Sequence, residues 1–149
     1  MGIVQNVLVS FFLGMMIAAG SGVAVAHEGT SPAPGIVWHA GLDEALAEAQ
    51  QQKRPAFIDF SSSWCSGCKD LDEKTFTDPR VITAAGRFVP IRILIPHMDD
   101  ATRQLMRRYS IEAFPAVVFV SSAGKVLAEP RVTDFLPADK FLAMLKQVK

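Results

Sequence analysis

Hydrophobic residues at helical spacing mark several segments of the chain after residue 40. Apolar side chains three and four positions apart predict a helix over Leu42–Gln52, which Pro55 prevents from continuing. Further helices are predicted over Trp64–Lys74, from the N-cap pair Asp78-Pro79 to about Gly86, from the capping residues Asp99 and Asp100 to about Tyr109, and from Pro137 onward.

Short, mostly apolar runs between these segments predict four strands. They cover Ala56–Ser61, Phe88–Ile95, Ala116–Val120 and, after a turn at 122–125, Val126–Ala128. Pro90 is expected at the start of its strand or at a sheet edge, since proline cannot donate to the ladder. Strands alternating with helices predict parallel pairing, and the late hairpin adds an antiparallel edge. We therefore predict an α/β fold with a central mixed β-sheet flanked by helices, which is the thioredoxin arrangement.

The first 26 residues differ from the rest because they contain no Asp, Glu, Lys or Arg. An apolar stretch over 7–19 precedes Ala24-Val25-Ala26, which has the form of a signal-peptidase site, although no Lys or Arg precedes the stretch. We interpret residues 1–26 as a signal peptide. A retained N-terminal anchor is the main alternative, because 7–26 just reaches the ~20 residues that a membrane span needs. A buried N-terminal helix is a third.

Either of the first two interpretations places the protein outside the cytoplasm, in the periplasm or an equivalent compartment. Residues 27–35, rich in proline and small residues, are then a flexible lead-in, and 36–149 form one domain. Lys plus Arg and Asp plus Glu both number 15, so the formal net charge is zero. Nothing in this balance calls for nucleic acid as a partner. Contact with a membrane is expected only if the N-terminal segment is retained.

Cys65 and Cys68 are the only two cysteines, and a predicted strand brings them to the start of a predicted helix. The free N–H groups and the dipole of a helix N-terminus favour a thiolate, which is the nucleophile in disulfide exchange. A C-x-x-C pair in this context indicates a redox site. We expect Cys65 to be the exposed attacking thiol, and Cys68, one turn on, to be the resolving thiol.

Three other roles for the cysteine pair are possible. A structural disulfide would close a very short loop, which constrains the unfolded chain little. Zinc normally takes four ligands, and none of the three histidines His27, His39 and His97 has ligand spacing to the cysteines. Copper binding by the cysteines with His97 or Met98 stays open at this point.

The stretch from Asp59 to Phe141 resembles the C-terminal thioredoxin-like domain of the membrane electron transporter DsbD. The resemblance lies in Asp59-Phe60, Trp64-Cys65-Ser66-Gly67-Cys68-Lys69, Thr75-Phe76-Thr77-Asp78-Pro79-Arg80-Val81, Phe114-Pro115 and Arg131-Val132-Thr133. Three departures stand out. This chain has no multi-helix membrane channel, Ser61-Ser62-Ser63 replaces a segment that often holds an aromatic residue and an alanine, and Asp72 stands where DsbD usually has Glu.

The resemblance assigns a role to Asp59, which lies in an otherwise apolar strand. It implies that this carboxyl sits beneath the cysteines and helps to move the proton of the resolving thiol, with Asp72 tuning the same step. Strand alternation places Phe57 and Asp59 on one face and Ile58 and Phe60 on the other. Burial should raise the pKa of Asp59. The alternative role is a carboxylate that is simply hydrogen-bonded at a strand end.

The resemblance also implies a substrate-binding segment at Phe114-Pro115. Pro115 corresponds to a cis-proline beside the active site, where the backbone pairs with an extended segment of the substrate. An ordinary trans proline that opens the strand is the alternative. Trp64 is expected to pack against the active-site surface or to belong to the core. Lys69 either favours the thiolate or is simply solvated.

Together these features predict an exported thiol–disulfide oxidoreductase that works mainly as a reductant. It would need no cofactor beyond the redox-active disulfide Cys65–Cys68. Its expected partners are proteins with disulfides or thiols, together with a membrane electron donor of the DsbD or CcdA type, and we expect a monomer. The alternatives are a copper metallochaperone that uses the same cysteines and a disulfide oxidase or isomerase on the same fold.

Overall fold

The computed structural model describes residues 35–149, so the predicted segment 1–26 and nearly all of the lead-in lie outside it. The elements in chain order are α1 Leu42–Gln51, β1 Ala56–Ser62, α2 Ser66–Lys74, α3 Pro79–Ala85, β2 Val89–Ile95, α4 Asp100–Tyr109, β3 Ala116–Val120, β4 Val126–Val132 and α5 Ala138–Gln147. Within residues 35–149, no helix is long and apolar enough to span a membrane.

The four strands form one mixed sheet in the order β2-β1-β3-β4. Strand β1 pairs in parallel with β2 and antiparallel with β3, and β4 pairs antiparallel with β3. Every residue of β1 is buried, as expected for a central strand with helices on both faces. The predicted α/β class with a mixed sheet is confirmed.

Alternation along β1 divides the core into two layers, as predicted. On one face Phe57 packs with Phe88, Phe119 and Phe141 beside helices α2, α3 and α5. On the other face Ile58 and Phe60 pack against α1 and α4. The aromatic rings of the first layer meet mostly edge to face, which is a favourable arrangement for aromatic pairs.

Local capping residues set the helix starts. Asp78 accepts a hydrogen bond from the Arg80 N–H at 2.8 Å and precedes proline at the first position of α3. Asp99 caps α4 in the same way through the Thr102 N–H, at 2.7 Å. Helix α2 begins at Ser66 rather than at the predicted Trp64, because Cys65 is its extended N-cap residue.

The largest difference from prediction is the length of β4. The sequence indicated Val126–Ala128, but the strand runs through Pro130 to Val132. It lies at the edge of the sheet, where a proline without an N–H is tolerated, and its register with β3 is irregular between Val118 and Val120. The prediction for Pro90 is confirmed, because it is the second residue of the edge strand β2.

Candidate active site

Cys65 and Cys68 lie at the junction between β1 and α2. Cys65 is the N-cap residue of α2, and its Sγ accepts a hydrogen bond from the Cys68 N–H at 3.0 Å. The two residues form a disulfide, with their Cα atoms 5.3 Å apart. Cys65 is half-buried, whereas Cys68 is only 3 % exposed. An incoming thiolate therefore reaches the sulfur of Cys65 more easily than that of Cys68.

Asp59 is a buried carboxylate in the middle of β1, with 2 % of its surface exposed. Its Oδ2 accepts a hydrogen bond from Arg92 Nε at 2.8 Å. Burial raises the pKa of Asp59 to about 6, even though Arg92 acts in the opposite direction. A group with this pKa can take up and return a proton near neutral pH.

Arg92 joins the two predicted carboxylates, a role that the sequence analysis missed. Its Nη2 donates to Asp72 Oδ1 at 2.5 Å while its Nε holds Asp59. The guanidinium also lies over the ring of Trp38, 4.1 Å from the centroid. The neighbouring residue His39 anchors Trp38 there, because its N–H donates to one backbone carbonyl of β2 and its carbonyl accepts from one backbone N–H of β2. The sequence contained one signal for the pairing of Asp59 with Arg92: each is the only charged residue in an otherwise mostly apolar strand.

A groove on one side of the disulfide holds the predicted substrate-binding residues. It encloses about 340 Å³ and is lined by Trp64, Cys65, Ser66, Gly67, Phe114, Pro115 and Asp134. We call this the Pro115 groove. The Phe114–Pro115 peptide bond is cis. Trp64 is 52 % exposed, so it flanks the disulfide and does not belong to the core.

A second groove opens on the other side of the disulfide. It encloses about 530 Å³ and is lined by Ser61, Ser62, Ser63, Cys65, Cys68, Lys69, Asp72, Leu94, Ile95 and Pro96. The three serines therefore form one wall of a cleft beside Cys68. Ser62 Oγ is buried and has no hydrogen-bond partner among the described residues. Lys69 is exposed and pairs with Glu73 at 3.7 Å.

The described histidines each lie close to a carboxylate. His39 is 3.6 Å from Glu48, and His97 is 3.3 Å from Asp99. Within residues 35–149, no group of three or more His, Cys, Asp or Glu side chains is arranged to hold a metal ion.

Comparison with protein families places this site in a known context. The thioredoxin-like domain family matches residues 42–149, which is most of the chain. The chain belongs to this family. The match spans α1 to α5 and includes Asp59, the cysteine pair and Pro115. The predicted fold and the predicted family are therefore both confirmed.

Two kinds of thioredoxin-like relative are similar to this chain. The thiol:disulfide interchange protein DsbD of Ralstonia nicotianae is 34% identical over 133 residues, which is 85% of this chain and 22% of that protein. A thioredoxin from Thermus thermophilus has a TM-score of 0.65 at 29% identity, and the match covers 76% of this chain and 87% of that thioredoxin. The reduced DsbD C-terminal domain of Neisseria meningitidis has a TM-score of 0.62 at 26% identity, and the match covers 72% of this chain and 93% of that domain.

This chain spans about a fifth of the length of the DsbD proteins that it matches. The shared segment contains the cysteine pair, which here is at disulfide distance. The family and the cysteine geometry together support a thiol–disulfide oxidoreductase.

Proposed function

We propose that this chain is an exported thiol–disulfide oxidoreductase that works mainly as a reductant of protein disulfides. The observation that carries the proposal is the cysteine pair at the start of α2, with an accessible Cys65 and a buried Cys68. The Asp59–Arg92–Asp72 cluster supplies a titratable group on the same face of the sheet as α2. The Pro115 groove offers room for a protein segment beside the disulfide.

The reaction would run in two thiol–disulfide exchanges. The Cys65 thiolate attacks one sulfur of the partner's disulfide, forming a mixed disulfide and releasing the partner's first thiolate, which takes a proton. Cys68 then loses its proton and attacks Cys65 Sγ, which closes the Cys65–Cys68 disulfide and releases the second partner thiolate. Two electrons pass to the partner. We assign to Asp59 the acceptance of the Cys68 proton, assisted by Asp72.

Each turnover leaves the Cys65–Cys68 pair oxidised, so an electron donor must reduce the pair again before the next turnover. The DsbD relatives are thiol:disulfide interchange proteins about five times as long as the matched segment. We therefore propose that a separate membrane protein of the DsbD or CcdA type reduces this domain outside the cytoplasm. Exported proteins with disulfides would be its substrates, and it would act as a monomer with no bound cofactor.

Trapping of mixed disulfides tests the activity. A Cys68→Ser variant should accumulate covalent adducts with exported proteins, because Cys65 attacks but nothing resolves the product. A Cys65→Ser variant is the matched control and should form few adducts. Adducts in equal amounts from both variants, or from neither, would contradict the proposal.

The reduction potential tests the direction of electron flow. Equilibration with glutathione buffers should give a value below about −220 mV, closer to thioredoxin at about −270 mV than to the oxidant DsbA at about −120 mV. A value above about −150 mV would favour the oxidase alternative.

A further inference from the structure

The Pro115 groove contains one charged side chain that the proposed reaction does not use. Asp134 lies in the loop between β4 and α5 and is exposed. It is close to the cysteine motif: a Cβ atom placed on Gly67 would be 2.9 Å from Pro115 Cδ and 3.9 Å from Asp134 Oδ1. The carboxylate therefore faces the space that a protein segment would enter to reach Cys65.

Only one of the two oxygens of the Asp134 carboxylate accepts a hydrogen bond within residues 35–149. Its Oδ1 accepts a hydrogen bond from the Phe135 N–H at 2.7 Å. Its Oδ2 has no hydrogen bond or ion pair within residues 35–149, and no Lys or Arg lines the groove. Residues 1–34 contain no Lys or Arg either. Within residues 35–149, no cation is paired with this carboxylate, and a reduced Cys65 would add a second negative charge beside it.

We propose that Asp134 is a specificity-determining residue that selects partner segments with Lys or Arg beside the cysteine that Cys65 attacks. This inference rests on the proposed function and adds a substrate preference to it. A cation at that position would approach the free Asp134 oxygen and the partly exposed Trp64 ring, because both residues line the groove. An acidic residue there would be repelled by Asp134 and by the Cys65 thiolate. Such charges at the rim of an interface mainly change the association rate and its salt dependence.

Matched peptides provide the test. Three disulfide-linked peptide dimers would differ only at the residue next to cysteine, which is Lys, Gln or Glu. The rate constant for reduction of each peptide by the reduced full chain is divided by the rate constant for reduction of the same peptide by dithiothreitol. This division removes the effect of the peptide charge on any attacking thiolate, since a small thiolate also reacts faster near a cation. At low ionic strength the normalised Lys rate should exceed the Glu rate about fivefold, as expected for a surface charge pair. At about 0.5 M salt the ratio should approach one.

Two variants separate Asp134 from the rest of the protein. Asp134→Asn keeps an oxygen for the Phe135 N–H but removes the charge, and it should reduce the Lys-to-Glu ratio to about one with an unchanged melting temperature. Asp43→Asn removes an equal charge from the exposed first turn of α1, outside the groove, and should keep the ratio.

The possible failures are distinguishable. A ratio that Asp134→Asn leaves unchanged would overturn the role of Asp134 and leave the oxidoreductase proposal standing. If the wild-type protein reduced none of the three peptides, the proposed function would fail, and this inference would fail with it.

Discussion

The two cysteines differ in both position and exposure, and this difference can be measured. Cys65 is the half-buried N-cap residue of α2, whereas Cys68 lies within the helix and is buried. A helix N-terminus stabilises a thiolate, so Cys65 should be the more acidic thiol. We expect alkylation of the reduced protein near pH 7 to label Cys65 about tenfold faster than Cys68. Mass spectrometric mapping across pH checks this, and faster labelling of Cys68 would reverse the assigned roles.

Replacing Asp59 with Asn tests the proton step. Asn retains the shape of the side chain but cannot accept a proton, so release of the mixed disulfide should slow by about a hundredfold. Stopped-flow turnover with a disulfide substrate measures this. Unchanged kinetics at every pH would make Asp59 only a structural carboxylate, and the proton would then leave through Asp72 or water.

The same substitution has a predictable effect on stability. The pKa of Asp59 is raised from 3.8 to about 6, so the folded state binds this proton more tightly than the unfolded state. The free energy of unfolding should therefore fall as pH rises from about 4 to about 6, by up to about 3 kcal/mol, and stay level above that. Asp59→Asn should melt no lower than wild type at pH 7.5, with the difference shrinking toward pH 4. A variant that melts lower at pH 7.5 would contradict this.

Arg92 should control the pKa of Asp59. Its charge and its hydrogen bond both lower that pKa, in opposition to burial. Arg92→Gln should therefore move the Asp59 titration midpoint above about 6, and Arg92→Lys, which keeps the charge, should restore part of the difference. Carboxyl ¹³C NMR of the oxidised protein measures the midpoint. A midpoint that stays the same or falls in Arg92→Gln would show that the ion pair has little influence in solution.

At the scale of elements, the close approach of α2 to the start of β3 depends on Gly67. An added Cβ would be 2.9 Å from Pro115 Cδ, so one element must move. Alanine normally stabilises a helix relative to glycine by up to about 1 kcal/mol. The overpacking should outweigh this gain and lower the free energy of unfolding by about 1 to 2 kcal/mol. Denaturant unfolding of the oxidised form measures the change.

Ser66→Ala is the control for this substitution. Ser66 is the neighbouring exposed residue in the same helix turn, and its replacement should change stability by no more than about 0.5 kcal/mol. If Gly67→Ala proved as stable as Ser66→Ala, the contact with Pro115 would have to relax without cost.

At the scale of the whole molecule, the predicted export signal lies outside residues 35–149 and stays a prediction. The form Ala24-Val25-Ala26 after an apolar stretch predicts cleavage after Ala26. The exported protein should therefore begin at His27. Intact-mass spectrometry of protein from an exporting host determines the N-terminus. An uncleaved chain in the membrane fraction would favour the anchor.

The elements, the mixed sheet and the cysteine site could be predicted from the amino-acid sequence, because these depend on local signals. Caps such as Asp78 and Asp99 act within three residues, and periodicity along β1 fixes which side chains share a face. A C-x-x-C pair between a strand and a helix needs no distant partner to be recognised. The segment Thr75–Val81, which follows the cysteine motif, made the resemblance to the DsbD domain specific.

The residues from distant parts of the chain that surround the disulfide could not be predicted, because strand pairing brings them together. Arg92 meets Asp59 across 33 residues of sequence because β1 and β2 pair in a register that sets the two side by side. Asp134 joins the Pro115 groove because β4 runs on to Val132 and delivers the following loop there. Strand register and edge-strand length depend on packing between segments far apart in the chain, which local patterns do not specify.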